Sequence, residues 1–285
     1  MSETLRVLCI GAHPDDCDVR VGGLAVKYAR LGHKVKFVSM SNGNAGHYAI
    51  GGAPLAQRRH QEAQRSAAIA GIEYTLLDIA DGQIMPTLEN RWTVVTIIRE
   101  FRADLVITNR PGDYHPDHRY TAQLVQDAAY TVTVPNVMAL TPHLSYNPVF
   151  AFWSDRFQRP YPFTPDVAVS IDDVIETKLD MLQCHESQFF EWVPYNMNIL
   201  DQVPADPAER RSFLARQWLP LMERDAECGR SLLQRLYGQE RGSAVRYAEC
   251  LEFCEYGRRV TAEVFQRLFP FFTSQGGGRD DEQSG

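Results

Sequence analysis

No stretch of this 285-residue chain is apolar for long enough to cross a bilayer, and its opening residues, Met1-Ser2-Glu3-Thr4-Leu5-Arg6, lack the regions of a secretory leader. A cytoplasmic protein without membrane contact is expected. Runs of Lys or Arg are also missing, and 36 acidic against 29 basic residues leave a net charge of −7. A phosphate-backbone partner is therefore disfavoured, and no nucleic acid is expected. The six cysteines, Cys9, Cys17, Cys184, Cys228, Cys250 and Cys254, form no CxxC pair, which argues for reduced thiols over a disulfide framework. No Gly-x-Ser-x-Gly occurs, and Ser39 and Ser41 sit in no nucleophile motif, so serine catalysis lacks a candidate.

What is present is a chain that is 44% hydrophobic, enough for one large domain or one domain with an appendage. Leu5 to Ile10 reads as a strand, Val21 to Leu31 as a helix, and Val35 to Met40 as a second strand running into the small-residue loop Ser41 to Gly46. A helix over Leu55 to Ala70, a strand over Tyr74 to Leu77, an amphipathic helix carrying Leu88, Trp92, Val95, Ile98 and Phe101, and a strand over Leu105 to Thr108 continue the alternation. The pattern predicts a Rossmann-like three-layer α/β/α fold with a mostly parallel sheet. A helix over Thr121 to Tyr130 follows, then loops and extended segments over Pro135 to Pro165. A strand over Val167 to Ile171 and a helix from Asp172 to about Glu186 come next. A domain over 1–200 is expected to end there. Residues 201–273 read as a helical C-terminal extension packed on that domain or on a neighbouring subunit, with one helix over Ala244 to Leu268. Residues 274–285 read as a disordered tail.

Two clusters of His and Asp stand out, Gly11-Ala12-His13-Pro14-Asp15-Asp16 after the first strand and His115-Pro116-Asp117-His118 after the fourth. In a sheet of order 3-2-1-4-5 those strands are neighbours where the winding reverses, the usual ligand crevice. Adjacent buried carboxylates beside a histidine need a cation. His13 and Asp16, three apart, can share one face of a turn, and His118 supplies a third ligand. Two imidazoles and one carboxylate with an open position are the pattern of a catalytic zinc. Asp15 is then placed as general base. His115, held as imidazolium by Asp117 or Asp113, would stabilise an oxyanion and protonate the leaving amine. These parts point to metal-assisted amide hydrolysis. The same ligands also suit an iron(II) oxygenase, and a non-catalytic sugar-binding protein is the third reading.

These motifs resemble those of the PIG-L/LmbE-like zinc-dependent de-N-acetylases. Ala12-His13-Pro14-Asp15-Asp16 resembles the first motif of that family and His115-Pro116-Asp117-His118 the second. Arg59-x-x-Glu62, Asn42-Gly43 and Lys178 followed by His185-x-Ser187-Gln188 carry the resemblance across Leu5 to Gln188. It implies one Zn2+ per chain, with Fe2+ as the other candidate, held by His13, Asp16 and His118. Asp15 would be the base, His115 the oxyanion stabiliser or acid, Asp117 its orienting partner, and Arg59 a sugar contact. Asn44 and Asp113 complete the expected substrate-binding set. The implied substrate is a small soluble N-acetylated sugar or glycoside, and a homo-oligomer is expected. Many members carry an acidic residue where this chain has Cys17.

Overall fold

The computed structural model describes residues 4–272. Five strands alternate with four helices: β1 (Arg6–Gly11), α1 (Asp16–Arg30), β2 (Lys34–Ser41), α2 (Gly52–Ala70), β3 (Glu73–Ile79), α3 (Leu88–Phe101), β4 (Leu105–Thr108), α4 (Pro116–Thr131) and β5 (Val149–Trp153). Then follow β6 (Val167–Ser170), α5 (Ile175–Gln183), a π-helical turn over Ser187–Trp192, α6 (Val193–Asn196), α7 (Pro207–Cys228), α8 (Arg230–Tyr237), α9 (Gln239–Ala244), β7 (Ala248–Gly257) and α10 (Ala262–Leu268). The sheet order is β3-β2-β1-β4-β5-β7-β6. β1 to β5 are mutually parallel, whereas β7 runs antiparallel between β5 and β6.

The reason lies in side-chain alternation. Leu5, just before β1, and Val7 and Cys9 along it enter one core, and Leu8 and Ile10 enter the other. A strand apolar on both faces must be covered by helices on both, which is what a parallel sheet provides. The 3-2-1-4-5 order expected of the first five strands is realised. Ile10 pairs with Thr108, so the loops after β1 and β4 emerge side by side.

Strand β5 supplies an extended segment within the Pro135 to Pro165 stretch, as expected there, and joins the sheet. Other elements differ from expectation. The span Ala244 to Leu268, expected as one helix, is strand β7 followed by the short α10. Cys250 and Cys254, four apart, satisfy a helical period and a strand period equally. The decisive alternation is that Tyr247 and Leu251 enter one core while Ala248 and Cys250 enter another. The sheet therefore continues across residue 200, and 201–273 is not wholly helical. Helix α1 begins at Asp16, five residues before the apolar period at Val21, and is kinked at Val21 itself (φ −138°, ψ 20°). The expected tail, 274–285, lies outside the described residues.

Candidate active site

The first cluster is shaped by a carboxylate that folds back on its own strand end. Asp16 Oδ2 accepts the backbone N–H groups of Ala12 at 2.8 Å and His13 at 3.0 Å. Gly11 permits this, since a Cβ there would meet Asp16 Cβ at 2.8 Å. Burial would raise the Asp16 pKa, but His118, His13 and those two N–H groups together lower it. The other oxygen, Oδ1, faces His118 Nε2 at 3.5 Å.

His118 stands in the first turn of α4, a helix opened by Pro116 at its first position with His115 as N-cap. Its Nδ1 faces Asp113 Oδ2 at 3.1 Å, and its Nε2 lies 3.2 Å from His13 Nδ1. His13 Nδ1 is 3.8 Å from Asp16 Oδ2, while its Nε2 faces Asp81 and Asp117 at 3.3 Å each. Each outer nitrogen thus faces a carboxylate at ion-pair distance, which leaves His13 Nδ1 and His118 Nε2 facing each other at hydrogen-bond distance. Two ring nitrogens and a carboxylate at such distances suit a positive charge among them, carried by a proton or by a metal ion. Asp16 approaches the two rings through different oxygens, and among the described residues the sets whose ligand atoms converge within 4.8 Å are His13, His115 and His118, and His13, Asp81 and Asp117. Burial would lower the His13 pKa, yet Asp117, Asp81 and Asp16 raise it to about 10.

Asp15 Oδ1 accepts a hydrogen bond from Arg59 Nη2 at 3.0 Å. Burial raises the Asp15 pKa and Arg59 counters it. Both Asp15 and Asp16 line a cleft with Asp113 and His118. The His115 ring centroid lies 4.7 Å from that of His13 and 5.0 Å from that of His118. Its Nδ1 accepts the backbone N–H of Asp117 at 3.2 Å, so the neutral ring carries its proton on Nε2. Burial, His13 and His118 lower its pKa.

The nine residues expected at the site are near one another, but the partnerships differ. The Asp117 carboxylate orients His13 and accepts the Gly82 N–H at 2.7 Å, and does not hold His115. Arg59 is 2% exposed and is engaged by Asp15, Asp81 and the Gly43 carbonyl. Asn44 Oδ1 accepts the Asp81 N–H at 3.0 Å, and Asp113 serves His118 and the His115 N–H. Arg59 and Asn44, expected at the substrate, are engaged by buried carboxylates and loop amides, while Asp113 bonds protein and also lines the cleft. Cys17 is fully buried in the core.

Sequence reasoning missed Asp81, which follows β3, and the cleft residues Asn109, Arg110 and Asp155, which follow β4 and β5. The available signal was position, since the carboxyl ends of parallel strands carry site residues.

The fold and this nest of histidines and carboxylates define an amide hydrolase of the deacetylase kind. The chain belongs to the PIG-L family, whose model, described as GlcNAc-PI de-N-acetylase, matches residues 8–129. A diacetylchitobiose deacetylase of Thermococcus kodakarensis is 34% identical over 211 residues, 68% of this chain and 76% of the relative. The N,N'-diacetylchitobiose deacetylase of Pyrococcus horikoshii superposes with a TM-score of 0.67 at 25% identity, covering 95% of this chain and 87% of that one. A 4-carboxy-2-hydroxymuconate hydratase of Pseudomonas putida shares the fold, with a TM-score of 0.68 at 20% identity over 90% of this chain and 98% of that one. An oxygenase is not favoured, because its usual scaffold is β-rich and this sheet is mostly parallel between helical layers.

Proposed function

We propose that this chain is a zinc-dependent N-deacetylase of an N-acetylglucosamine-type sugar or glycoside. The observation that carries the reading is the approach of His13 Nδ1, the Asp16 carboxylate and His118 Nε2 to within 3.2–3.8 Å, with Asp15 in the same cleft. Those three residues would hold the zinc, which would supply Lewis acidity to bring a water pKa toward ~7 and to polarise the amide carbonyl. Asp15 takes the proton of the attacking water, and Arg59 keeps its carboxylate aimed. His115 donates its Nε2–H to the oxygen that gains charge in the tetrahedral intermediate. The proton held by Asp15 passes to the amide nitrogen as the C–N bond breaks, releasing acetate and the free amine.

The sugar class is supported by the relatives that act on diacetylchitobiose. Free thiols at all six cysteines suit a reducing, cytoplasmic setting. Residues 201–273 are assigned as an accessory region that walls the cleft through Trp218. A homo-oligomer is proposed with it, on an exposed aromatic patch where Tyr48 stacks on Tyr195.

Metal analysis paired with acetate release from N,N'-diacetylchitobiose tests the reading. Asp15→Asn should retain one zinc per chain and lose at least about 100-fold in kcat, whereas His118→Ala should lose the metal. Undiminished turnover in Asp15→Asn, or full zinc content in His118→Ala, overturns it.

A further inference from the structure

Beyond the two motifs, the cleft is walled by residues that the chemistry above does not use. Asn109 follows β4 and Asp155 follows β5, so adjacent parallel strands deliver both to the same edge of the sheet. Asn109 is 3% exposed and the Asp155 side chain 5% exposed. Asp155 Oδ1 is occupied, accepting from Arg110 Nη1 at 2.8 Å and from the Phe157 N–H at 2.9 Å. Asp155 Oδ2 and Asn109 Oδ1, by contrast, are buried and receive no protein donor. Leaving a buried acceptor unmet is costly, so two of them on residues that line one cleft with His118 ask for a ligand that brings donors. Trp218, from α7, lines the same cleft and offers an apolar surface. Hydroxyl donors set on an apolar ring face are the chemistry of a neutral sugar.

We propose that Asn109 and Asp155 form a hydroxyl-reading subsite, which binds the sugar ring of the substrate through O–H donors and thereby sets specificity for a polyhydroxylated substrate over a bare N-acetyl amine. This rests on the deacetylase reading and deepens it. Arg110 acts as a positioning residue that holds Asp155 through Oδ1 and leaves Oδ2 without a protein donor.

The test compares wild type with Asn109→Ala and Asp155→Asn, each zinc-loaded and checked for a native thermal transition. Acetate release is measured on N-acetylglucosamine and on N-acetylcyclohexylamine, which keeps the amide on a six-membered ring and lacks the hydroxyls. Each variant should lower the ratio of kcat/KM between the two substrates by about tenfold or more, the weight of a hydrogen bond to a buried acceptor. In parallel, equilibrium titration with cellobiose, which has ring hydroxyls and no amide, should show its Kd raised about tenfold in both variants. An unchanged ratio together with an unchanged cellobiose Kd overturns the subsite. Failure of wild type to release acetate while cellobiose binding still depends on Asn109 and Asp155 overturns the deacetylase reading and leaves the subsite standing.

Discussion

Arg59 shows how a single buried cation holds this site in working order. Its guanidinium lies between Asp15, at 3.0 Å, and Asp81, at 3.6 Å, and its side chain is 2% exposed. Asp81 in turn supports His13, so one residue braces both the proposed base and a proposed ligand. Removing it leaves two carboxylates with little compensation in low dielectric, and breaking a buried pair costs about 3–5 kcal/mol. Arg59→Met is expected to lower kcat about 100-fold or more and to destabilise the fold by about 3 kcal/mol, read by steady-state kinetics and urea denaturation. A variant that changed KM alone would restore Arg59 to the role of sugar contact. At this scale the two His/Asp clusters were legible because unpaired carboxylates at the end of an apolar strand have no other good explanation. The partnerships were not, since which carboxylate serves which imidazole depends on the loop after β3.

Helix α1 shows the same dependence among elements. Its kink at Val21 frees backbone groups that a regular helix would pair, and other elements take them up. Glu249 of β7 accepts the Gly23 and Leu24 N–H groups at 2.8 and 2.6 Å, and Lys178 of α5 donates to the Val19 carbonyl at 2.7 Å and to Glu249. Both side chains are almost wholly buried. The turn bearing Asp16 and the cleft-lining Val19 and Arg20 is thus anchored by a strand from the end of the chain. Glu249→Leu should cost about 3–5 kcal/mol by leaving Lys178 buried and unpaired. The double variant Lys178→Met/Glu249→Leu should cost less than the sum of the single changes, measured by denaturation of all four proteins. Strict additivity would mean that the two do not act as a pair. Lys178 was visible in the sequence as a motif residue, but Glu249 was read as part of a helix, so its partner could not be named.

Over the whole molecule, the C-terminal segment is bound into the sheet domain. Asp225 of α7 accepts a hydrogen bond from Ser154 Oγ beyond β5, and the Tyr28 hydroxyl of α1 donates to the Leu268 carbonyl at 2.6 Å. Burial pushes the Asp225 pKa up to about 6 against the opposing pull of Ser154 and Arg20. The folded state therefore keeps a proton that the unfolded chain has released, and stability falls as pH rises from about 4 to about 6. A shift of that size corresponds to about 2–3 kcal/mol. Asp225→Asn should remove this loss, so its stability relative to wild type should climb across that window, measured by denaturation at several pH values. A difference that stayed constant with pH would remove Asp225 as the cause. The alternation of the first five strands with helices and the two motifs that follow β1 and β4 could be read from the chain alone, because local periodicity and misplaced charge are properties of neighbours in sequence, whereas the strand order that sets those two motifs side by side was assumed from the fold class and found in the structure. The placement of β7, the neutral form of His115, the inward turn of Arg59 and the unpaired acceptors of the cleft depended on contacts between residues tens to hundreds of positions apart, which only the folded molecule brings together.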